Sequence, residues 1–180
     1  MAGVIQKEKA CYISPLVCVR KKDGRIRVCL DARGLNAKVK KDFINPPNPT
    51  VLLVQFKQGQ LMSTVDLTKA YWQIAVFPDH TKYLGFMYEG ETYTFRRLPF
   101  GLSMSMKSLI RCLNGILERC NDFAQAYVDD LFIYSNNIGE HLKHWRIIIE
   151  RFLDARITVK LRKFVKRFCR AEGSFQNFEE

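Results

Sequence analysis

Two adjacent carboxylates, Asp129 and Asp130, interrupt an otherwise strand-forming run, Phe123-Ala124-Gln125-Ala126-Tyr127-Val128-Asp129-Asp130-Leu131-Phe132-Ile133-Tyr134. β-Branched and aromatic residues on both sides predict two strands, and the polar pair between them predicts the turn of a hairpin. Side by side in apolar surroundings, two aspartates repel each other and lose hydration. A divalent cation relieves both costs, and hard carboxylate oxygens suit magnesium. An Asp-Asp pair taken alone is explained more simply by a solvated turn, so the weight falls on what else the chain carries.

A third carboxylate lies upstream, in Leu61-Met62-Ser63-Thr64-Val65-Asp66-Leu67-Thr68-Lys69-Ala70-Tyr71-Trp72-Gln73-Ile74. A short strand is predicted to end at Asp66 and run into a turn or short helix that carries Tyr71. Beside the hairpin, Asp66 would complete a site for two metal ions. Ions about 3.5–4 Å apart clamp the attacking and leaving oxygens of an in-line phosphoryl displacement. Asp66 also stands where a helix N-cap would, ahead of Leu67-Thr68-Lys69-Ala70, and the segment alone supports both readings.

Composition narrows the partners. A chain of 180 residues, 47% of them hydrophobic, can bury a core and fits one domain. Its net charge of +11 favours a polyanion. The cations cluster: Arg20, Lys21, Lys22, Arg25, Arg27 and Arg33 early, and Lys160, Arg162, Lys163, Lys166, Arg167 and Arg170 late. A charge run by itself marks only a solvated face, but beside a metal-binding carboxylate set phosphate contact is the better reading. Six cysteines, none in a Cys-x-x-Cys pair, suggest reduced thiols and a cytoplasmic setting rather than zinc or disulfides. His141 and His144 have no companion ligands in reach and are expected to be exposed helix residues. The sequence shows no signal peptide and no apolar run long enough to span a bilayer, and no membrane partner is expected.

Strands are predicted near 15–20 and 25–31, joined at Lys22-Asp23-Gly24-Arg25, and at 61–66, 73–77, 84–88 and 92–96. Pro46-Pro47-Asn48-Pro49 marks a loop, after which Thr50 caps a predicted helix to about Phe56. One longer helix carries the apolar stripe Met106, Leu109, Ile110, Leu113 and Leu117; a second, over 140–154, carries Leu142, Trp145, Ile149 and Phe152. Both stripes are expected to cover one face of the sheet that holds the aspartates. Mixed strands and helices around an antiparallel hairpin predict the α+β class.

Asp66 in its Val-Asp-Leu-x-x-Ala-Tyr-x-Gln-Ile context, Leu98-Pro99-Phe100-Gly101-Leu102, and Tyr127-Val128-Asp129-Asp130 follow one another as in a reverse transcriptase. Ser14-Pro15-Leu16-Val17-Cys18-Val19-Arg20-Lys21-Lys22-Asp23-Gly24 and Arg27-Val28-Cys29-Leu30-Asp31-Ala32-Arg33-Gly34-Leu35-Asn36 match too. The chain resembles the pol polyproteins of gypsy-type LTR retrotransposons over residues 3–169. The resemblance implies fingers over about 1–58 and 75–97, palm over about 59–74 and 98–160, and a divergent tail over 170–180. It implies that Asp66 and Asp129 are the principal metal ligands and that Asp130 is the third catalytic carboxylate. Two magnesium ions are the implied cofactors, with manganese as a substitute. Tyr71 is the implied steric gate against a ribose 2′-hydroxyl. Lys21 or Lys22, with Arg27, would grip the incoming triphosphate, and Phe100 and Gly101 would line the nucleotide pocket. Gly101 answers either to a close backbone approach or to a turn. Arg20, Arg33, Lys160 and Lys163 are expected to contact nucleic acid.

The implied activity is RNA-directed DNA synthesis on a primed RNA or DNA template from deoxynucleoside triphosphates. The alternative is a catalytically inactive, nucleic-acid-binding retroelement relic. A metal-dependent nuclease would leave Tyr71 and the Leu-Pro-Phe-Gly segment without a role. Two stretches depart from the family pattern. Met104-Ser105-Met106-Lys107-Ser108 stands where small residues and a proline are usual, and no Leu-Gly-containing primer-grip motif follows Cys169. With no thumb segment in the sequence, a fragment of a longer polyprotein is expected.

Overall fold

Alternation of large apolar side chains makes strands of Leu61–Leu67 (β4) and Asp130–Ser135 (β8), and these two pair antiparallel from Leu61↔Ser135 to Asp66↔Asp130. The structure, a computed structural model, describes residues 3–21, 24–40, 60–127, 130–169 and 174–177, with side chains as far as residue 160. The predicted helix after Thr50 lies outside these residues. Contacts divide the chain into two compact units, Met1–Phe43 with Lys69–Leu109, and Ile44–Thr68 with Ile110–Glu180.

The second unit is built on a five-stranded sheet of order β10-β9-β4-β8-β7, where β7 is Ala124–Tyr127, β9 is Val159–Cys169 and β10 is Ser174–Asn177. β7 and β8 form the predicted hairpin, with Tyr127 paired to Asp130. Strand alternation gives the sheet two unlike faces. Leu61, Ser63, Val65 and Leu67 of β4, with Leu131, Ile133 and Ser135 of β8, are buried on one. Leu131 and Ile133 are fully buried, and each such side chain contributes about 1.5–3 kcal/mol by leaving water. The opposite face carries Met62, Thr64 and Asp66 against Tyr134, Phe132 and Asp130, and on it Tyr127 and Phe132 pack around Met62 and Tyr134.

A 17-residue helix, Ile138–Asp154, packs against β8. Its N-cap is Asn137, whose side chain accepts from the Glu140 N–H at 2.9 Å, while the Glu140 carboxylate accepts from the Asn136 N–H at 2.7 Å. The expected stripe of Leu142, Trp145, Ile149 and Phe152 is displaced around this helix. Its buried residues are His141, Ile148 and Phe152, whereas Leu142 is 64% exposed and Ile149 42%. His141 is therefore buried rather than exposed, because Ser63 and Ser135 offer it hydrogen bonds that apolar neighbours would not. The other long helix, Ser103–Ile116, buries Leu109, Ile110 and Leu113 as predicted, and Leu117 just beyond its end is buried too.

β9 and β10 were not expected. The cations of residues 160–170 break the apolar alternation that marks a strand, and only pairing reveals it. β9 pairs with β4 with an irregular register: between the Ser63↔Val165 and Val65↔Leu161 pairs lie three residues of β9 and one of β4.

In the first unit, β1 (Ile5–Lys7), β6 (Glu91–Phe95) and β5 (Gly85–Tyr88) make a sheet of order β1-β6-β5. β2 (Leu16–Arg20) and β3 (Ile26–Leu30) make a separate hairpin, as predicted. Its core is Leu30, Ala32, Leu35, Leu84, Phe86 and Phe95. The predicted strand over 73–77 is reduced to a single bridge, Ala75↔Arg97. Ala70–Gln73 is helical instead, and Pro78, which has no N–H to give a ladder, opens a 3-10 turn to Tyr83. In chain order the described α-helices are α1 (Arg33–Asn36), α2 (Ala70–Gln73), α3 (Ser103–Ile116) and α4 (Ile138–Asp154). Helices mixed with antiparallel sheet are the predicted α+β class. No helix among the described residues is long and apolar enough to cross a membrane.

Candidate functional site

In the second unit the site begins with strand register. Asp66 on β4 sits directly opposite Asp130, the first residue of β8, and both are half-buried. Directly opposed side chains have Cβ atoms about 4.5–5.5 Å apart, a spacing at which like charges destabilise the pair. On the other edge of β4, Asp66 is opposite Lys160 of β9. Three strands therefore present the row Asp130, Asp66, Lys160, two carboxylates and one exposed cation. The N-cap reading of Asp66 does not hold, since Asp66 lies inside β4 and the residue preceding α2 is Lys69, in the left-handed region at φ 51°.

Asp129 lies outside the described residues, one position before Asp130 in sequence. Among the described residues no three His, Cys, Asp or Glu side chains gather as a metal site. The opposed pair of Asp66 and Asp130 nonetheless offers the hard oxygen donors that suit a divalent cation.

In the first unit a second cluster forms around Phe100. The Tyr71 ring meets the Phe100 ring edge-on, centroids 5.0 Å apart, and Trp72 lies at 6.1 Å. The Arg27 guanidinium sits over the same ring, its carbon 4.8 Å from the centroid. Three residues expected at the nucleotide pocket, from β3, α2 and the loop before α3, thus share one contact. Trp72 joins them without having been singled out from sequence.

The loop that carries Phe100 is held by backbone. The Leu30 N–H donates to the Phe100 carbonyl at 2.8 Å. Gly101 has φ 101°, and a Cβ there would collide with the Leu30 carbonyl oxygen, so both explanations of this glycine apply. Asn36 closes the arrangement: its side-chain amide donates to the Gly101 carbonyl at 2.9 Å, and its Oδ1 accepts the Ser103 N–H at 2.9 Å. The first turn of α3 is thereby capped from 67 residues away. Sequence reasoning missed Asn36 because no local spacing marks so distant a cap. The helix opens despite its unusual start, helped by Ser105, whose hydroxyl donates to the Pro99 carbonyl at 2.8 Å.

The remaining basic residues are placed singly. Lys21 is half-buried at the tip of the β2–β3 hairpin, where its N–H donates to the Arg25 carbonyl at 2.8 Å. Gly24, at φ 79°, makes that turn possible; Lys22 lies outside the described residues. Arg20 is exposed at the end of β2. Arg33 forms a two-pronged pair with Asp31, at 2.8 and 2.7 Å, and this hydrogen bonding holds the Asp31 carboxyl below its usual range. Lys163 falls on β9 with its side chain outside the description.

Known proteins match this chain over nearly its whole length. The family described as reverse transcriptase (RNA-dependent DNA polymerase) matches residues 19–172. The chain is 30% identical over 179 residues to the retrovirus-related Pol polyprotein from transposon 297 of Drosophila melanogaster, covering 96% of this chain and 17% of that protein. It is also 30% identical over 183 residues to the Pol polyprotein from transposon gypsy of the same fly, covering 98% of this chain and 18% of the relative. It therefore spans less than a fifth of these curated relatives. Among solved structures, the foamy viral protease-reverse transcriptase in complex with double-stranded DNA superposes at a TM-score of 0.81 with 26% identity, over 88% of this chain and 28% of the other. The same viral protein with an RNA/DNA hybrid gives 0.80 and 26%, over 89% of this chain and 22% of the other.

Proposed function

The chain belongs to the reverse transcriptase family, and on that premise we propose that it is an RNA-directed DNA polymerase domain of a gypsy-type retrotransposon polyprotein. It adds deoxynucleotides to a primer 3′-hydroxyl on an RNA or DNA template. The observation that carries this reading is the register Asp66↔Asp130, which sets two carboxylates from separate strands side by side on one sheet face.

Asp66 and Asp129 would hold two magnesium ions, with Asp130 adding negative charge. Bound there, the metal would acidify the primer hydroxyl and neutralise charge on the triphosphate. The chain's own side chains would do the rest. Arg27 presents a planar fork to phosphate oxygens, and Lys21 or Lys22 supplies a point charge. Tyr71, braced edge-on by Phe100, presents a ring against a ribose 2′-hydroxyl. Gly101 and Phe100 shape the pocket wall. Arg20, Arg33, Lys160 and Lys163 contact the phosphates of template and primer. The foamy viral neighbours, bound to duplex DNA and to an RNA/DNA hybrid, support nucleic acid as partner.

Primer extension on an RNA template, with deoxynucleotides and magnesium, tests the reading. Extension is expected from the wild type and is expected to vanish in Asp129→Asn with the fold intact. Turnover retained by that variant would reject the assignment. Salt-sensitive binding of primer–template by a folded protein without any incorporation would favour the alternative, a nucleic-acid-binding relic.

A further inference from the structure

Behind the carboxylate row, on the buried face of the same sheet, lies a chain of four polar side chains that polymer synthesis does not use. His141 of α4 is 1% exposed, and its ring nitrogens reach both central strands: Nε2 is 2.8 Å from the Ser63 hydroxyl on β4, and Nδ1 is 2.9 Å from the Ser135 hydroxyl on β8. The Ser135 hydroxyl is also 2.7 Å from Nδ1 of His144, which in turn lies 3.2 Å from the Tyr134 carbonyl. Ser63 and Ser135 are each 2% exposed. Phe123 stacks against the His144 ring at 3.9 Å.

The Tyr134 carbonyl can only accept, so Nδ1 of His144 carries a proton and donates to that carbonyl and to the Ser135 oxygen. Neutral His141 satisfies both serines in either tautomer: Ser135 donates to Nδ1 while Nε2 donates to Ser63, or Nδ1 donates to Ser135 while Ser63 donates to Nε2. One ring nitrogen accepts in each case. A second proton on His141 would have to enter at that nitrogen, where a serine proton already points. The hydroxyl would have to turn away, and a charge would stand where water does not reach.

We propose that neutral His141 is a positioning residue, a bolt that ties β4 to β8 through Ser63 and Ser135 and that is released when it is protonated. The two strands it joins are those that carry Asp66 and Asp130, on the opposite face. Among the described side chains the charges acting on His141 are both on α4, His144 and Glu140, and burial outweighs them, pushing its pKa down. The strands packed on it present hydroxyls, while their ionisable side chains, Asp66, Asp130 and Tyr134, alternate to the other face. The unfolded chain therefore takes up the proton more readily than the folded one. The stabilisation is fully present above the ordinary imidazole pKa of about 6.5 and is lost as pH falls below it.

Thermal unfolding of the 180-residue chain at pH 7.5 and 5.5 tests this, a window above carboxylate titration. The wild type and the exposed control His80→Gln are expected to lose at least about 3 °C in Tm across that step. His141→Gln, whose amide bridges the two hydroxyls without titrating, is expected to lose less than half as much. Amide exchange at Val65 and Leu131, corrected for intrinsic rates, should lose protection at pH 5.5 in the wild type. A flat wild type, a His141→Gln protein that keeps the full fall, or a fall without loss of protection at Val65 would overturn the proposal. Should His141→Gln not fold, the wild-type imidazole spectrum decides: the chain has only three histidines, and a His141 already protonated at pH 6.5 overturns it. No nucleotide enters these measurements, so their failure leaves the polymerase reading standing, and a protein that fails to extend primers leaves the bolt standing.

Discussion

Phe100 is the residue around which the aromatic cluster of the first unit is arranged. Tyr71 and Trp72 approach its ring edge-on and Arg27 lies over it, so one side chain orients three others. The gate role proposed for Tyr71 needs a ring held at a fixed angle, which an edge-on contact worth about 0.5–1.5 kcal/mol supplies. Tyr71→Ala is expected to raise ribonucleotide incorporation relative to deoxynucleotide incorporation by roughly tenfold or more, the equivalent of about 1.4 kcal/mol of discrimination. Competing the two substrates in primer extension reads this, and an unchanged ratio rejects the gate. At this scale the motifs singled out Tyr71, Phe100 and Arg27, which the fold brings into one cluster. They did not single out Asn36, because its bonds to Gly101 and Ser103 join residues more than sixty positions apart.

Among the elements, α4 shows how a strong helix signal can be read on the wrong face. Its apolar residues span a wide arc, and periodicity alone chose Leu142 and Ile149 from the part of it that the fold leaves exposed. The buried face is set by Ser63 and Ser135, which offer hydrogen bonds to a histidine. The start of the helix, by contrast, is local chemistry: Asn137 caps the Glu140 N–H, and Glu140 returns a bond to the Asn136 N–H. That backbone bond holds the Glu140 carboxyl below its usual range. Asn137→Ala is expected to cost about 1 kcal/mol, seen as a lower urea midpoint with unchanged slope. A midpoint equal to wild type would mean that packing alone fixes this helix end.

For the molecule as a whole, a net charge of +11 predicts binding to any nucleic acid that weakens steeply with salt. For six phosphate contacts, a tenfold rise in salt should lower the affinity for duplex by roughly five powers of ten. Fluorescence anisotropy across a salt series measures the slope, and a flat series would exclude phosphate contact as the basis of binding. The family and the fold class were written in the sequence, because the motifs and most of the strands and turns are short-range patterns carried by adjacent residues. Tertiary structure alone decided three things: that Lys160 stands beside Asp66, that β9 and β10 extend the sheet, and that His141 turns inward. Strand register and the burial of a polar side chain depend on partners far along the chain, and no local pattern encodes which residue will lie opposite which.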